Sequence, residues 1–206
     1  TFQGSELCRH TATVGSYEEL EGDSFVIIGG YESGVDAAYN LSYFDKKVRL
    51  FDEGCPWEDE SPDPSIALST YSIERMREGW FEKFVELCPN AHVTHVAQKD
   101  GQYEVALQDG RTFHTETQPL LATGFVGSQK LVEDLFEQRP DGFPLLTPND
   151  ESTIVPGLFL CGPAVRQEDF VFCFIYKYRQ RFAVVAKAIA TSLGLPAEQL
   201  EQYRNW

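Results

Sequence analysis

Apolar and polar positions follow two different periods along this chain, and the changes between them mark its elements. Residues 25–28 (Phe-Val-Ile-Ile) form a short unbroken apolar run that stops at the pair Gly29-Gly30. Such a run, rich in β-branched side chains, predicts a parallel strand buried on both faces. Ser33, Gly34, Ala37 and Ala38 then open a helix whose small residues let it lie close on that strand. A second apolar run, 48–51, ends in Asp52 and Glu53. Over 69–88, Ile73, Met76, Trp80, Phe84 and Leu87 recur at spacings of three and four, which predicts one helix with a single apolar stripe, stopped at Cys88-Pro89-Asn90. The pattern changes over 92–113. Val93, Val96, Tyr103, Val105 and Leu107 fall in short strands separated by Asp100-Gly101 and Asp109-Gly110, the pattern of a small antiparallel meander. Residues 119–125 predict another strand ending in Ala122-Thr123-Gly124, and 129–136 a short helix. Residues 158–161 predict a strand ending in Gly162-Pro163-Ala164. Residues 171–193 predict a long helix with Ile175, Tyr178, Phe182, Val185 and Ile189 on its buried stripe.

The first strand, turn and helix carry the most specific chemistry. A glycine turn that leads into a helix presents backbone N–H groups and a positive helix end, which together hold a pyrophosphate. Asp52 lies 18 residues beyond Gly34, about where a dinucleotide-binding βαβ unit places the carboxylate that accepts ribose hydroxyls. With Gly29 and Gly34 as the outer glycines of G-x-G-x-x-G, Tyr31 stands at the middle one, so the phosphate contact is expected to be looser or displaced. An ordinary βαβ unit with a glycine turn and no nucleotide is the alternative.

Between Asp52 and Asp63 there are six acids and no base, and Pro56, Pro62 and Pro64 make the segment extended. This acidity would repel a 2′-phosphate and so favours NADH over NADPH, unless only Asp52 or Glu53 faces the ligand. The charges of 171–193, by contrast, are all basic: Lys177, Arg179, Arg181 and Lys187. They are read either as a solvated face or as support for a nucleotide phosphate or a partner domain. His92, His95 and His114 show no metal-ligand spacing and are expected to be structural residues on strands. His10 reads as a loop histidine bonded to the backbone.

Composition narrows the classes. At 206 residues, 42% hydrophobic and 13% aromatic, the chain can bury a real core. Its net charge of −15 disfavours nucleic acid and anionic membranes as partners. No apolar run approaches the roughly 20 residues of a membrane-spanning helix, and no secretory signal is seen at the start. Five scattered cysteines without a C-x-x-C pair point to free thiols in a reducing cytoplasm.

Four features stand in a fixed order: Phe2-x-Gly4 with His10, the 29–34 turn, Ala122-Thr123-Gly124, and Val155-Pro-Gly-Leu-Phe-Leu-Cys-Gly162. Together they resemble the superfamily of flavin-dependent monooxygenases and FAD- and NAD(P)-dependent pyridine nucleotide oxidoreductases. The resemblance covers nearly the whole chain but matches the C-terminal part of such proteins. Their N-terminal FAD fingerprint is absent from the sequence, which implies a fragment or a small protein without its flavin half.

The resemblance implies an α/β fold of FAD/NAD(P)-binding type, a Rossmann-like parallel sheet with a small antiparallel meander in three layers. It implies a connecting segment (1–22), an NAD(P)H-binding domain (23–124) and the C-terminal part of an FAD-binding domain (125–206). Gly29, Gly30, Tyr31, Glu32, Ser33 and Gly34 would hold the pyrophosphate, and Asp52 or Glu53 the adenosine ribose. Thr123 and Gly124 would line the dinucleotide cleft, and Gly162, Pro163 and Ala164 would approach the flavin. The implied activity is hydride transfer from NAD(P)H to FAD, bound only with the missing half, followed by use of O₂ on a small organic substrate. The alternatives are a flavin-linked disulfide reductase, for which Cys161 and Cys173 are the cysteine pair to check, and a non-enzymatic nucleotide-binding module. No catalytic acid, nucleophile or metal site is assigned, and homo-oligomerisation is left open.

Overall fold

The computed structural model describes residues 2–63, 65–125, 127–168 and 170–203. Contacts divide the chain into two compact units, 1–124 and 125–206.

The first unit is built on a parallel sheet of β1 (Arg9–His10), β2 (Ser24–Ile28), β3 (Lys47–Phe51), β4 (Val85–Cys88) and a later strand, β8 (Leu120–Leu121). The order across it is β1-β8-β2-β3-β4. Because side chains alternate along a strand, β2 feeds two cores. Phe25 and Ile27 pack with Val35, Ala38, Leu41 and Leu50 beneath α1 (Glu32–Tyr43). Val26 and Ile28 pack with Phe51, Val96 and Val105 beneath an antiparallel meander of β5 (Val93–Lys99), β6 (Gln102–Leu107) and β7 (Thr112–Thr115). Helices, parallel sheet and meander make the three layers anticipated from the sequence, with a Rossmann-like parallel sheet in the middle. Asp100 and Gly101 both take positive φ, 52° and 80°, as the two-residue turn between β5 and β6 requires.

One long helix was expected over 69–88, and the structure divides this stretch. It contains α2 (Thr70–Met76), α3 (Gly79–Phe84) and then strand β4, which pairs in parallel with β3. The chain breaks at Arg77-Glu78, and Leu87 on β4 joins the same core as Ile73. Apolar residues at helical spacing thus reach one core from two kinds of element. Residues 9–10, at the expected surface connection, form strand β1 beside β8.

The second unit has little regular structure besides a two-residue ladder, β9 (Arg166–Gln167) with β10 (Phe170–Val171), and helix α4 (Ile175–Ser192). Residues 128–135 form a 3₁₀ segment kinked at Val132. The strand expected at 158–161 is not a regular strand; Phe159 makes only an isolated bridge to Glu151. The buried stripe expected on α4 is also displaced. Ile175 is 69% exposed, and Phe182 and Ile189 are exposed too, while Ala183 and Val185 are buried. Arg181 lies on the inward side with Ala183 and Val185. Its guanidinium grips the buried Asp150 through Nε to Oδ2 and Nη2 to Oδ1, both 2.8 Å, and Gln167 donates to Asp150 Oδ1 as well. That forked, charge-assisted pair holds Arg181 on the inward face of the helix, where Val185 is buried as expected. Pro64 of the acidic segment lies outside the described residues.

The contact that decides how closely α1 can lie on the sheet is at Gly34. A Cβ there would fall 1.8 Å from the Gly29 carbonyl oxygen. Gly34→Ala is therefore expected to lower stability by about 1–3 kcal/mol, the range for overpacking. Gly79→Ala, with no atom within 4 Å of the new Cβ, should leave stability unchanged or raise it by up to about 1 kcal/mol. Denaturant unfolding of the two variants checks the contrast.

Candidate functional site

β2, β3 and β8 run in parallel, and their carboxyl ends open into a cleft of about 530 Å³. From β2 the sheet grows through β3 and β4 on one side and through β8 and β1 on the other. This is a switch point in strand order, where open α/β sheets bind ligands. The cleft's volume falls within the roughly 300–1,000 Å³ of ligand pockets.

Eight of the residues singled out in the sequence line this cleft: Gly29, Tyr31, Glu32, Ser33, Asp52, Glu53, Thr123 and Gly124. Gly29 takes φ +103°, and a Cβ there would sit 2.6 Å from the Ala122 carbonyl oxygen, so the turn after β2 is pressed against the end of β8. Gly30 and Gly34 lie behind the wall. A Cβ on Gly30 would strike the Trp57 ring at 2.2 Å. α1 starts at this turn with Tyr31 as its N-cap and no side chain capping it. A cradle without side chains beside an uncapped helix start suits the phosphates of a dinucleotide.

Tyr31 does not obstruct this arrangement. Its ring packs against the core beneath α1, and its hydroxyl donates to the Ala67 carbonyl at 2.8 Å. The tyrosine at the middle-glycine position thus tethers the far end of the acidic segment. Glu32 is also engaged. Oε1 accepts from the Ser69 N–H at 2.5 Å and Oε2 from the Ser72 hydroxyl at 2.6 Å, so the start of α1 holds the start of α2.

Asp52 is bound more fully still. Oδ2 accepts the Gly30 N–H at 2.6 Å, and Oδ1 accepts the N–H groups of Gly54 and Cys55, each at 2.8 Å. Its backbone is held too: its N–H donates to the Cys88 carbonyl and its carbonyl accepts from the Ala91 N–H at 2.9 Å. The second bond brings residues 91–92 to the cleft. His92, expected on a strand, instead precedes β5 and lines the cleft, with Nδ1 2.8 Å from Glu53 Oε2 but off the line of a hydrogen bond. The sequence signal for it was its position shortly after a parallel strand's C-terminal end, which periodicity did not reveal because 85–88 read as helix.

On the opposite wall, His10 Nδ1 accepts the Ala12 N–H, which leaves Nε2 to donate to the Gly124 carbonyl, both at 3.2 Å. His10 thus steadies the Ala122-Thr123-Gly124 end of the cleft through the backbone. The cleft wall carries three carboxylates, Glu32, Asp52 and Glu53, and among the described residues no lysine or arginine.

The profile of the pyridine nucleotide-disulphide oxidoreductase family matches residues 1–162. The chain belongs to that family. Its members are FAD- and NAD(P)H-dependent oxidoreductases. Similar solved structures include the bacillithiol disulfide reductase Bdr (YpdA) from Staphylococcus aureus, with TM-score 0.70 and 17% identity over 93% of this chain and 58% of that one. The thioredoxin reductase of T. acidophilum has TM-score 0.66 and 16% identity over 93% of this chain and 61% of that one. The NAD-dependent persulfide reductase from A. fulgidus has TM-score 0.59 and 16% identity over 81% of this chain and 31% of that one. At such identities the likeness is one of fold, and this chain spans less than two thirds of each of these three proteins.

Gly162, Pro163 and Ala164 lie in the second unit. Gly162 is buried with φ +112°, and Ala164 is buried. Pro163 brings no N–H, and its carbonyl accepts from Arg166 Nη1 at 2.7 Å. This turn therefore lacks the kind of cradle that the 29–34 turn presents.

Cys8, Cys55, Cys88 and Cys161 are free thiols. Burial, helped by Glu6, pushes Cys8 up to about 11, and burial, helped by Glu86, does the same to Cys88. Burial and then Asp150 raise the exposed Cys161. A raised pKa means less thiolate at neutral pH and a weaker nucleophile. At pH 8, iodoacetamide should modify Cys8 and Cys88 at least tenfold more slowly in the folded chain than in urea. The unfolded thiols ionise first, so stability present below pH 9 is lost as pH rises towards 11. Fast labelling of Cys88 in the folded chain would contradict this environment.

Proposed function

We propose that residues 23–124 bind NADH as the nicotinamide-binding domain of a flavin-dependent oxidoreductase. On this reading residues 1–22 are a connecting segment and 125–206 the C-terminal part of the FAD-binding domain. The observation that carries the reading is the cleft at the switch point, where the 29–34 turn and the uncapped start of α1 meet a carboxylate wall. The nicotinamide, when bound, supplies a hydride for the flavin. The protein's part is to bind and orient. The bare turn at Gly29 and the N–H groups at the start of α1 take the pyrophosphate, the carboxylates past β3 take the adenosine ribose, and Thr123 and Gly124 form the opposite wall. Carboxylates without a nearby lysine or arginine disfavour a 2′-phosphate, which supports NADH over NADPH.

Two readings of the electron acceptor each rest on their own observation. The order of the sequence motifs supports a monooxygenase, in which O₂ and a small organic substrate are consumed. The family and the solved neighbours, two of them named as disulfide or persulfide reductases, support reduction of a disulfide. In the second case Cys8 and Cys88 are unsuited to the exchange, because their raised pKa leaves little thiolate at neutral pH. NADH-driven turnover, with FAD and an N-terminal FAD-binding half supplied in trans, separates them: one consumes O₂ and yields an oxygenated product, and the other releases thiols from a low-molecular-weight disulfide.

For the 206-residue chain, fluorescence titration should show NADH bound at least about tenfold more tightly than NADPH, a difference of about 1.4 kcal/mol. A folded chain that binds neither nucleotide would sink the assignment.

A further inference from the structure

Glu32 is the first residue of α1 and lines the cleft. It therefore brings a carboxylate to the helix start that would receive a pyrophosphate. Negative charge in the first turn is favoured by the free N–H groups and positive end of a helix, so this carboxylate is a built-in competitor for an anionic ligand. The structure draws it aside. Oε1 accepts the Ser69 N–H at 2.5 Å, and Oε2 accepts the hydroxyls of Ser69 at 3.0 Å and Ser72 at 2.6 Å. Ser69 is the N-cap of α2, and Ser72 is buried in the first turn of that helix. Three donors, all from the start of α2, thus hold a carboxylate that belongs to α1. The same stretch has a second tie to the glycine turn, the Tyr31 hydroxyl on the Ala67 carbonyl at 2.8 Å.

From this we propose that residues 67–72 are a latch on the cleft, with Ser69 and Ser72 as positioning residues that keep the charge of Glu32 off the start of α1. With the latch docked, the N–H groups of α1 are left to the anion. With the latch undocked, Glu32 loses its donors, returns to the helix start and opposes the anion. Both states turn on one carboxylate, so nucleotide binding and docking of 67–72 strengthen each other by the same factor. The inference rests on the reading of residues 23–124 as a nucleotide-binding domain.

The test is a double-mutant cycle on NADH affinity in the 206-residue chain, with the thermal midpoint recorded for every variant. Ser69→Ala/Ser72→Ala should weaken NADH about three- to tenfold, the scale of a charge at a helix start. That loss should shrink between about 50 and about 500 mM NaCl, because salt screens a repulsion. Glu32→Gln should tighten NADH by a factor several times larger in this double variant than in the wild-type chain, since only there is the charge unheld. The double variant also loses the N-cap of α2 and should melt earlier, and Glu32→Gln does not replace that cap. Recovery of binding without recovery of the midpoint therefore separates charge from folding. Ser72→Ala alone, which keeps the cap, should show the same pattern in smaller measure. NADH bound as tightly by the folded double variant as by the wild-type chain overturns the latch alone, and so do equal effects of Glu32→Gln in the two backgrounds. A folded wild-type chain that binds neither nucleotide overturns it together with the reading beneath it.

Discussion

The geometry of the cleft depends on one carboxylate holding three backbone N–H groups. Asp52 sits at the end of β3 and reaches across to Gly30 at the end of β2 and forward to Gly54 and Cys55. Without it, the turn after β2 and the segment after β3 would be two loops leaving neighbouring strands, each with donors to satisfy. With it, they form one wall. Hydrogen bonds to a charged acceptor are the stronger kind, and these close loops that otherwise hold few regular bonds. The shape of the turn is thus set by bonds within the protein.

The glycines divide the remaining work. Gly34 lets α1 settle onto the carbonyl of Gly29, and Gly29 lets the turn settle onto the end of β8. Both contacts are backbone on backbone and cannot yield by a change of rotamer. They hold the helix start at a fixed distance from three strand ends. Tyr31 and Glu32 then carry that precision outward, tying Ala67 and the start of α2 to the same turn.

Much of this was legible in the sequence because it depends on local pattern. The run 25–28, the glycines after it and the small residues of α1 can be read from side-chain size and spacing alone. The meander was legible for the same reason, through its Asp-Gly turns. What escaped the sequence depends on pairing at a distance. Residues 85–88 keep helical spacing with Ile73 and Trp80, yet they join the sheet because β3 offers an open edge. The misread strand also hid His92, which the chain brings to the cleft just after β4. On α4, Arg181 meets the buried Asp150, a pair 31 residues apart that no periodicity reports. The commitment of Asp52 to backbone donors was likewise invisible, because spacing identifies a carboxylate and not what already occupies it.

The crowding at Gly30 has an evolutionary side. A side chain there would meet the ring of Trp57 at 2.2 Å and Cβ of Asp52 at 2.7 Å, so this glycine is required by two side chains as well as by the backbone. The three positions form an epistatic set. A larger residue at 30 becomes tolerable only after Trp57 has been made smaller and Asp52 has moved. Each single step towards that state first loses a ring packed on the core or a carboxylate holding three donors. Gly29 and Gly34 are constrained by backbone carbonyls, and no second substitution relieves them. Change at position 30 is therefore tied to coordinated changes at 52 and 57.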